Sequence, residues 1–456
     1  MKRTLLPPLL APFLAGAVLT GCADYRPAPL GAPFDAGTGA LAMPDAAILS
    51  IDAQKIDRPY LASQSIDLGR PLTPNALAVI AVLENPDLKA QRAKAGIADA
   101  QAFSARLLPD PTIQGNFDKL LSGPDAFNGF GGQLGQDLNL LRTARVTRLS
   151  GEASKRQVRL DLAWAEWNIA GQARLQAGRV LALEAQLALA RESAAEAQRL
   201  FAATERAAGR GDLAAAELDT RRQALLDTGT RARTVESNLA TARADLNKQL
   251  GLPPGTVLYL APPDAAPVPP ESATLVAQAI ERRLDLQALR AGYAVAEADL
   301  HKAVLDQFPN LSLTLAGARD TADNYTAGPA IGFSLPLWNR NRGGIAVAKA
   351  TREALKAEYE ARLFQTRAEI DAAVVGLKTL RRQRDALSSQ MPAIDRYAAA
   401  TDRAAKRGDL APATAATALQ ALRDQKLALL ELDQQIAEQT IALELLSGGP
   451  SEGWTR

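Results

Sequence analysis

The sequence is one unit written twice. Arg206-Ala-Ala-Gly-Arg-Gly-Asp-Leu213 returns as Arg403-Ala-Ala-Lys-Arg-Gly-Asp-Leu410, 197 residues later. At the same offset Gly251 meets Gly448, Gly135 meets Gly332 and Leu138 meets Leu335. At an offset of 198, Asp87-Leu88 meets Asp285-Leu286, Arg92-Ala93 meets Arg290-Ala291 and Pro111 meets Pro309. A register that drifts by one residue over most of a half implies a single structural unit used twice. The first repeat spans 73–252 and the second 272–448, and a short tail covers 449–456. Between the repeats, 253–271 opens with Pro253-Pro254-Gly255 and ends in Pro269-Pro270, which reads as a Pro-rich connector.

Each repeat carries the same succession of periods. A helix is predicted first, Asn75 to Leu107 in one half and Ser272 to Asp306 in the other, stopped near Pro109 and Pro111 and at Pro309. Two strands follow in each repeat, about 111–119 and 130–140, then about 309–319 and 328–337. In Thr112 to Asp118, Ile113 and Phe117 fall on one face and Gln114, Asn116 and Asp118 on the other. Turn-rich stretches such as Ser122-Gly-Pro-Asp125 and Asp320 to Asn324 join the strands as hairpins. Strands of about nine residues are long enough to cross a bilayer when tilted. From Arg145 to Ala208 there is no Pro, giving a helix on the order of 95 Å. Val180, Leu183, Leu187, Ala190, Ala194, Ala197 and Phe201 step by three and four, a heptad seam. After the turn, Leu225, Ala232, Leu239 and Leu246 recur every seven residues, matched by Leu422, Leu429, Ile436 and Leu443. Each half therefore holds a long helical hairpin, its tip at 209–213 or 407–410.

Composition removes whole classes of function. The 52 basic and 50 acidic residues leave a formal charge of +2, without the basic footprint of a dedicated nucleic-acid binder. One His and one Cys exclude His/Cys zinc sites, disulfide frameworks and Cys-His catalysis. No phosphate-binding Gly loop or nucleophile motif is present, so the expectation is no enzyme, no metal and no cofactor. Eight of the 21 aromatic residues (Phe103, Phe117, Phe127, Phe130, Phe308, Tyr325, Phe333 and Trp338) crowd into 103–130 and 308–338, as girdles flanking a membrane band would.

The N-terminus reads as an export signal. Lys2 and Arg3 precede an apolar run, Leu5 to Val18, too short to span a bilayer. Leu19-Thr20-Gly21-Cys22 resembles the bacterial lipobox, which implies a signal peptide over 1–21, cleavage before Cys22 and acylation of that residue. Ala23, where Asp would favour inner-membrane retention, points to the outer membrane of a Gram-negative bacterium. Residues 22–72, rich in Pro and Gly, read as an extended lipid-anchored tether, free to wrap the body, and not as a domain. Four strands with one apolar face cannot stand alone in lipid: each unpaired edge group costs several kcal/mol, and the smallest barrels use eight strands. Oligomerisation is required.

The duplicated plan resembles the TolC-like outer-membrane efflux proteins over about 75–448. The most specific piece is Ile331-Gly-Phe-Ser-Leu-Pro-Leu-Trp-Asn-Arg-Asn-Arg-Gly-Gly344, which looks like the family's strand-to-helix segment. Its Asn339-Arg340-Asn341-Arg342-Gly343 version is similar to members serving heavy-metal resistance–nodulation–division pumps. The resemblance implies a mainly α fold with a membrane β-barrel portion: a homotrimer whose strands form a twelve-stranded barrel continued by a periplasmic α-helical tunnel. It further implies a passive outer-membrane exit duct of a tripartite efflux pump, partnered by a periplasmic membrane-fusion adaptor and an inner-membrane resistance–nodulation–division transporter. Alternatives are a duct for type I protein secretion, or a coiled-coil lipoprotein scaffold without a pore.

By the same resemblance the adaptor docks at the hairpin tips, here Arg210, Gly211, Asp212 and Leu213, and Arg407, Gly408, Asp409 and Leu410. Gly relieves the turn, Leu is an exposed apolar knob, and Asp can cap the next helix. The Asp pair that lines the family's tunnel constriction falls on Thr414 and Thr417, where no Asp is present. In the first repeat Glu217, beside Asp219 and Thr220, reads either as a ring of three carboxylates that favours cations or as part of a solvated helix face.

Overall fold

The computed structural model describes residues 25–28, 30, 42–125, 127–211, 215–262, 266–451 and 454. Cys22, Asp212 and Leu213 lie outside the described residues. Pro44–Arg456 forms one compact unit, and everything below concerns it.

The unit begins with α1 (Ala46–Gln54), so 22–72 is not extended throughout, and only the segment after α1 runs as a non-helical strap over the body. Asp45 accepts hydrogen bonds from the Ala47 and Ile48 amides, and α1 buries Leu49 and Ala53. Nine residues among prolines are too few for a helical period to stand out. The strap that follows ends at Leu72, whose N–H donates to Tyr259 O and whose carbonyl accepts from Ala261, both at 2.8 Å. The strap and the connector thus pair with each other. Leu49, Leu61, Ile66 and Leu72 join a core with Leu77, Ile80, Ala173, Leu246 and Leu250, each large side chain contributing roughly 2 kcal/mol.

The first helix of each repeat is two helices. In the first half these are α2 (Pro74–Glu84) and α3 (Pro86–Ser104). Asn85 is extended, Pro86 lacks an N–H, and Asn85 Oδ1 accepts from Asp87 N at 3.0 Å and Leu88 N at 3.1 Å. The second half breaks at the same place without a proline. Arg283, 1% exposed, separates α6 (Ser272–Arg282) from α7 (Leu284–Leu305). Its guanidinium donates to Asp285 at 2.7 Å and to the Leu446 carbonyl at 3.3 Å. Both breaks seat a glycine that ends the repeat. A Cβ at Gly251 (φ 68°) would overlap the Glu84 carbonyl, and one at Gly448 (φ 76°) would stand 2.9 Å from Arg283 N. Gly251→Ala should therefore cost roughly 3 kcal/mol through overlap and left-handed strain, read as a lowered thermal midpoint of the purified protein. Gly178→Ala, where a Cβ meets nothing within 4 Å, should hold or gain up to about 1 kcal/mol.

One antiparallel sheet runs in the order β1 (Thr112–Asp118), β2 (Gly129–Asp137), β3 (Leu311–Arg319), β4 (Tyr325–Phe333). The last strand starts three residues before the predicted 328 and ends four before 337, and β2 stops at Asp137 instead of 140. Asp320 explains the early start: its Oδ1 accepts from Ala322 N and Asn324 N, closing a tight turn so that Tyr325 pairs with Arg319. β1 and β4 are open edges, and Pro329 sits on one of them.

The sheet feeds the long helices. After β2 comes α4 (Leu140–Gly209), 70 residues and about 105 Å long, returned by α5 (Ala215–Leu250). After β4 comes α8 (Arg342–Lys406), entered through left-handed Asn341 and returned by α9 (Pro412–Ser447). α4 packs along α5, α8 along α9, and α4 also against α7 and α9. Of the predicted seam, Val180, Leu183, Leu187, Ala190 and Ala197 are buried, and Ser193 is buried where Ala194 was expected. Leu239, Leu246, Leu422, Ile436 and Leu443 are buried too.

Candidate channel wall and hairpin tips

The strand register separates the sheet into two chemically different faces. Reading across the pairs, Ile113 and Phe117 share a face with Phe130, Leu134, Leu311, Leu313, Leu315, Tyr325, Ile331 and Phe333. All of these large side chains are exposed. The opposite face carries Gln114, Asn116, Asp118, Gln133, Ser312, Thr314 and Thr326, with Gly and Ala between them. Gln133 donates to Gln114 across that face. A contiguous apolar face of this size marks a membrane or partner surface. No described helix is long and apolar enough to cross a membrane. Among the described residues no group of three or more His, Cys, Asp or Glu is placed to hold a metal ion.

At the far end of the long helices, both tips turn on a glycine. Gly211 and Gly408 each have φ 83°. Gly211 N donates to Ala208 O at 2.9 Å, Gly408 N to Ala405 O at 3.0 Å and Asp409 N to Ala404 O at 2.9 Å, so spent helix carbonyls are satisfied. Asp409 does not cap the next helix: it accepts from Arg407 Nε at 2.8 Å. α9 starts from Ala411 with Pro412 in its first turn and no side-chain cap. Asp409 stands two residues before the N-cap position, out of register for the first free amides of α9. Leu410 is half-buried, not a fully exposed knob.

The constriction candidates lie just beyond the tips. Glu217 accepts from its own helix, from Arg221 Nη2 at 2.7 Å and Nε at 3.0 Å, so its charge is matched. Thr417 donates its hydroxyl to Ala413 O at 3.0 Å, and Thr414 is exposed. Arg221 and Thr417 line a single cavity of about 340 Å³ between α4, α5 and α9. Ser193, Arg423 and Asp424 share that cavity. Arg423 bonds Glu192 at 3.2 Å, tying the two hairpins together. The structure thus brings Thr417 beside the partner of Glu217 and leaves Thr414 outside the cavity.

Two polar clusters in the first half of α4 escaped sequence reasoning. Glu166, whose side chain is 2% exposed, accepts from Arg58 Nε at 2.6 Å, Arg92 Nη2 at 2.8 Å and the Tyr60 hydroxyl at 3.2 Å. Burial pushes this carboxyl up, but the bonds and charges of Arg58 and Arg92 bring it below the ordinary glutamate value. Burial and Glu166 together push the Tyr60 hydroxyl up. Tyr60 also packs on Trp167, ring centres 5.1 Å apart. Beside it Asp285 bridges Arg283 and Arg362, and Arg283 lies 5.0 Å over the Trp164 ring. Arg92 and Asp285 fall in the repeat match and Trp164 and Trp167 stand at helical spacing, but nothing local in the sequence pairs them with Arg58, Tyr60, Arg283 or Arg362.

Residues 275–449 match the family model described as "Outer membrane efflux protein". A comparison with curated proteins gives no match. Among solved structures, the CmeC outer membrane channel of Campylobacter jejuni is similar at 18% identity and TM-score 0.69, covering 84% of this chain and 86% of that one. The open state of the MtrE outer membrane channel of Neisseria gonorrhoeae is similar at 19% identity and TM-score 0.66, covering 83% and 90%. The outer membrane protein VceC of Vibrio cholerae is similar at 15% identity and TM-score 0.67, covering 83% and 97%. The second repeat thus matches the outer membrane efflux protein family, and the fold of the chain is the one these solved outer-membrane channels share.

Proposed function

We propose that this chain is the outer-membrane exit duct of a tripartite efflux pump. One observation carries the reading: a four-stranded sheet, apolar on one face and open at both edges, is joined end-on to helices of 70 and 65 residues. Three copies pair edge to edge, close a twelve-stranded barrel with Gln114, Gln133 and Thr314 lining water, and extend it as a helical tunnel. An acylated Cys22 anchors each chain to the outer membrane. A periplasmic adaptor meets the tips, an inner-membrane resistance–nodulation–division transporter supplies the energy, and the duct conducts passively. The constriction lies near Glu217, Thr414 and Thr417.

Purified protein in planar bilayers tests this directly. The expected result is a trimer with discrete ionic conductance; a monomer that leaves the bilayer silent overturns the duct. Tip docking has its own test. Leu213→Asp with Leu410→Asp should reduce efflux-dependent resistance at least about tenfold, the effect of losing one hot-spot contact of 1–2 kcal/mol or more. Trimer abundance should not change, and unaltered resistance excludes the tips as the docking site.

A further inference from the structure

The distal end of the apolar face carries a charge. Arg319 ends β3, and the register places it in one cross-strand row with Phe117, Phe130 and Tyr325. It shares their face, not the face of Gln114 and Thr314. Its guanidinium lies 4.3 Å over the Phe127 ring and 5.6 Å over the Tyr325 ring. Phe127 is held there by the loop-to-loop bond of its N–H to Thr321 O at 3.3 Å, beside Thr321 Oγ1 donating to Asp125 at 2.5 Å. Asp323 accepts from Arg319 Nε at 2.5 Å, and the side chain keeps 21% of its surface exposed. Rings beside a guanidinium hold it in place by cation–π attraction, and the bond to Asp323 engages Nε.

Next to this row the face opens. A cavity of about 320 Å³ is bounded by Phe130, Arg319 and Tyr325 and floored by Gly317 and Ala327. The fold does not require glycine on this floor. A Cβ at Gly317 would meet nothing closer than 3.8 Å, and one at Gly132, its cross-strand neighbour, nothing closer than 3.9 Å. The opening is bordered on its other side by Ile113, Leu134 and Leu315.

We infer that this corner binds the phosphate of a lipid headgroup in the leaflet nearest the hairpin loops. The inference rests on the outer-membrane reading above. A planar, ring-clamped guanidinium suits phosphate through paired N–H donors. The cavity is continuous with the apolar face, so the acyl chains of the same lipid run on over Leu134 and Leu315. Aromatic residues at this level match the headgroup zone of a bilayer. Asp323 competes for the same guanidinium, and that competition gives the site a distinguishing signature.

The test uses the full chain reconstituted into vesicles of the phosphate-free lipid digalactosyldiacylglycerol, doped with lipid A or with its dephosphorylated form. Lipid retained after mild detergent extraction is counted by native mass spectrometry. The intact protein should retain the phosphorylated lipid in about tenfold preference, the worth of one charge-assisted bond. Arg319→Gln should erase the preference, and so should Gly317→Val, which keeps the arginine and fills the opening. Asp323→Asn should raise retention, a change opposite in sign to any loss of loop structure. Inorganic phosphate should not compete. A chain that inserts and conducts but holds both lipids equally overturns the site alone, as does displacement by inorganic phosphate, which would mark a free-anion site. A chain that enters no vesicle overturns the outer-membrane reading and the site with it.

Discussion

Leu315→Arg should keep this protein out of the outer membrane, while Thr314→Arg one residue earlier should leave it there. Leu315 is central in β3, 58% exposed, and paired with Leu134 and Pro329 on the apolar face. An arginine facing lipid near the midplane costs about 2–4 kcal/mol per chain, and a trimer carries three of them. That total exceeds the roughly 5.5 kcal/mol that reverses an equilibrium from 99:1 to 1:99. Thr314 points to the other face, paired with Gly135 and Ala330. There an arginine meets no bulky neighbour and, in the proposed trimer, adds three positive charges to the lumen, so conductance should persist with selectivity shifted towards anions. Membrane fractionation reads the first variant and reversal potentials in asymmetric salt read the second. If both variants insert equally well, the two faces are equivalent to their surroundings and the sheet is wetted on both sides.

What sequence could and could not reveal follows from range. The alternation of Ile113 and Phe117 against Gln114 and Asn116 is local, with a period of two, and it survives into the register intact. The tip glycines were legible because a tetrapeptide recurred, and both adopt the left-handed turn. The break inside the first helix of each repeat was harder. Pro86 sits one residue after Asn85, yet a proline is also tolerated early in a helix, so it does not by itself announce a break. Arg283 has no proline beside it, and its break depends on the Leu446 carbonyl 163 residues away. The short helix α1 hides among prolines because its burial against α2 decides its shape, not its own period. Asp409 illustrates a different failure. The recurring tetrapeptide suggests a cap, but α9 starts from Ala411, two residues past Asp409, whose carboxylate accepts from Arg407 instead.

Glu166→Gln should loosen the strap and lower stability by on the order of 3 kcal/mol, the cost of leaving a buried cation without its counter-charge. The estimate takes the low end because Arg58 and Arg92 keep 39% and 30% of their side-chain surface in solvent. Strap residues should become more readily cleaved under native conditions, since Arg58 and Tyr60 tie 55–72 to α4 through this carboxylate, beside the apolar contacts of Leu61, Ile66 and Leu72. The pH dependence has a definite sign. The folded carboxyl is held below the ordinary glutamate value of 4.5, so its contribution is fully present above that value and is lost as pH falls through the lower folded one. The substitution should therefore remove part of the acid sensitivity below pH 4.5 while costing stability at neutral pH. Arg58→Ala should cost less than Glu166→Gln, because Arg92 still neutralises the glutamate at 2.8 Å. The double variant should fall well short of the sum, as expected for residues in one network. Additive losses, or an unchanged acid midpoint in Glu166→Gln, would show that the strap is held by Leu61, Ile66 and Leu72 alone, with the charged cluster contributing nothing to its attachment.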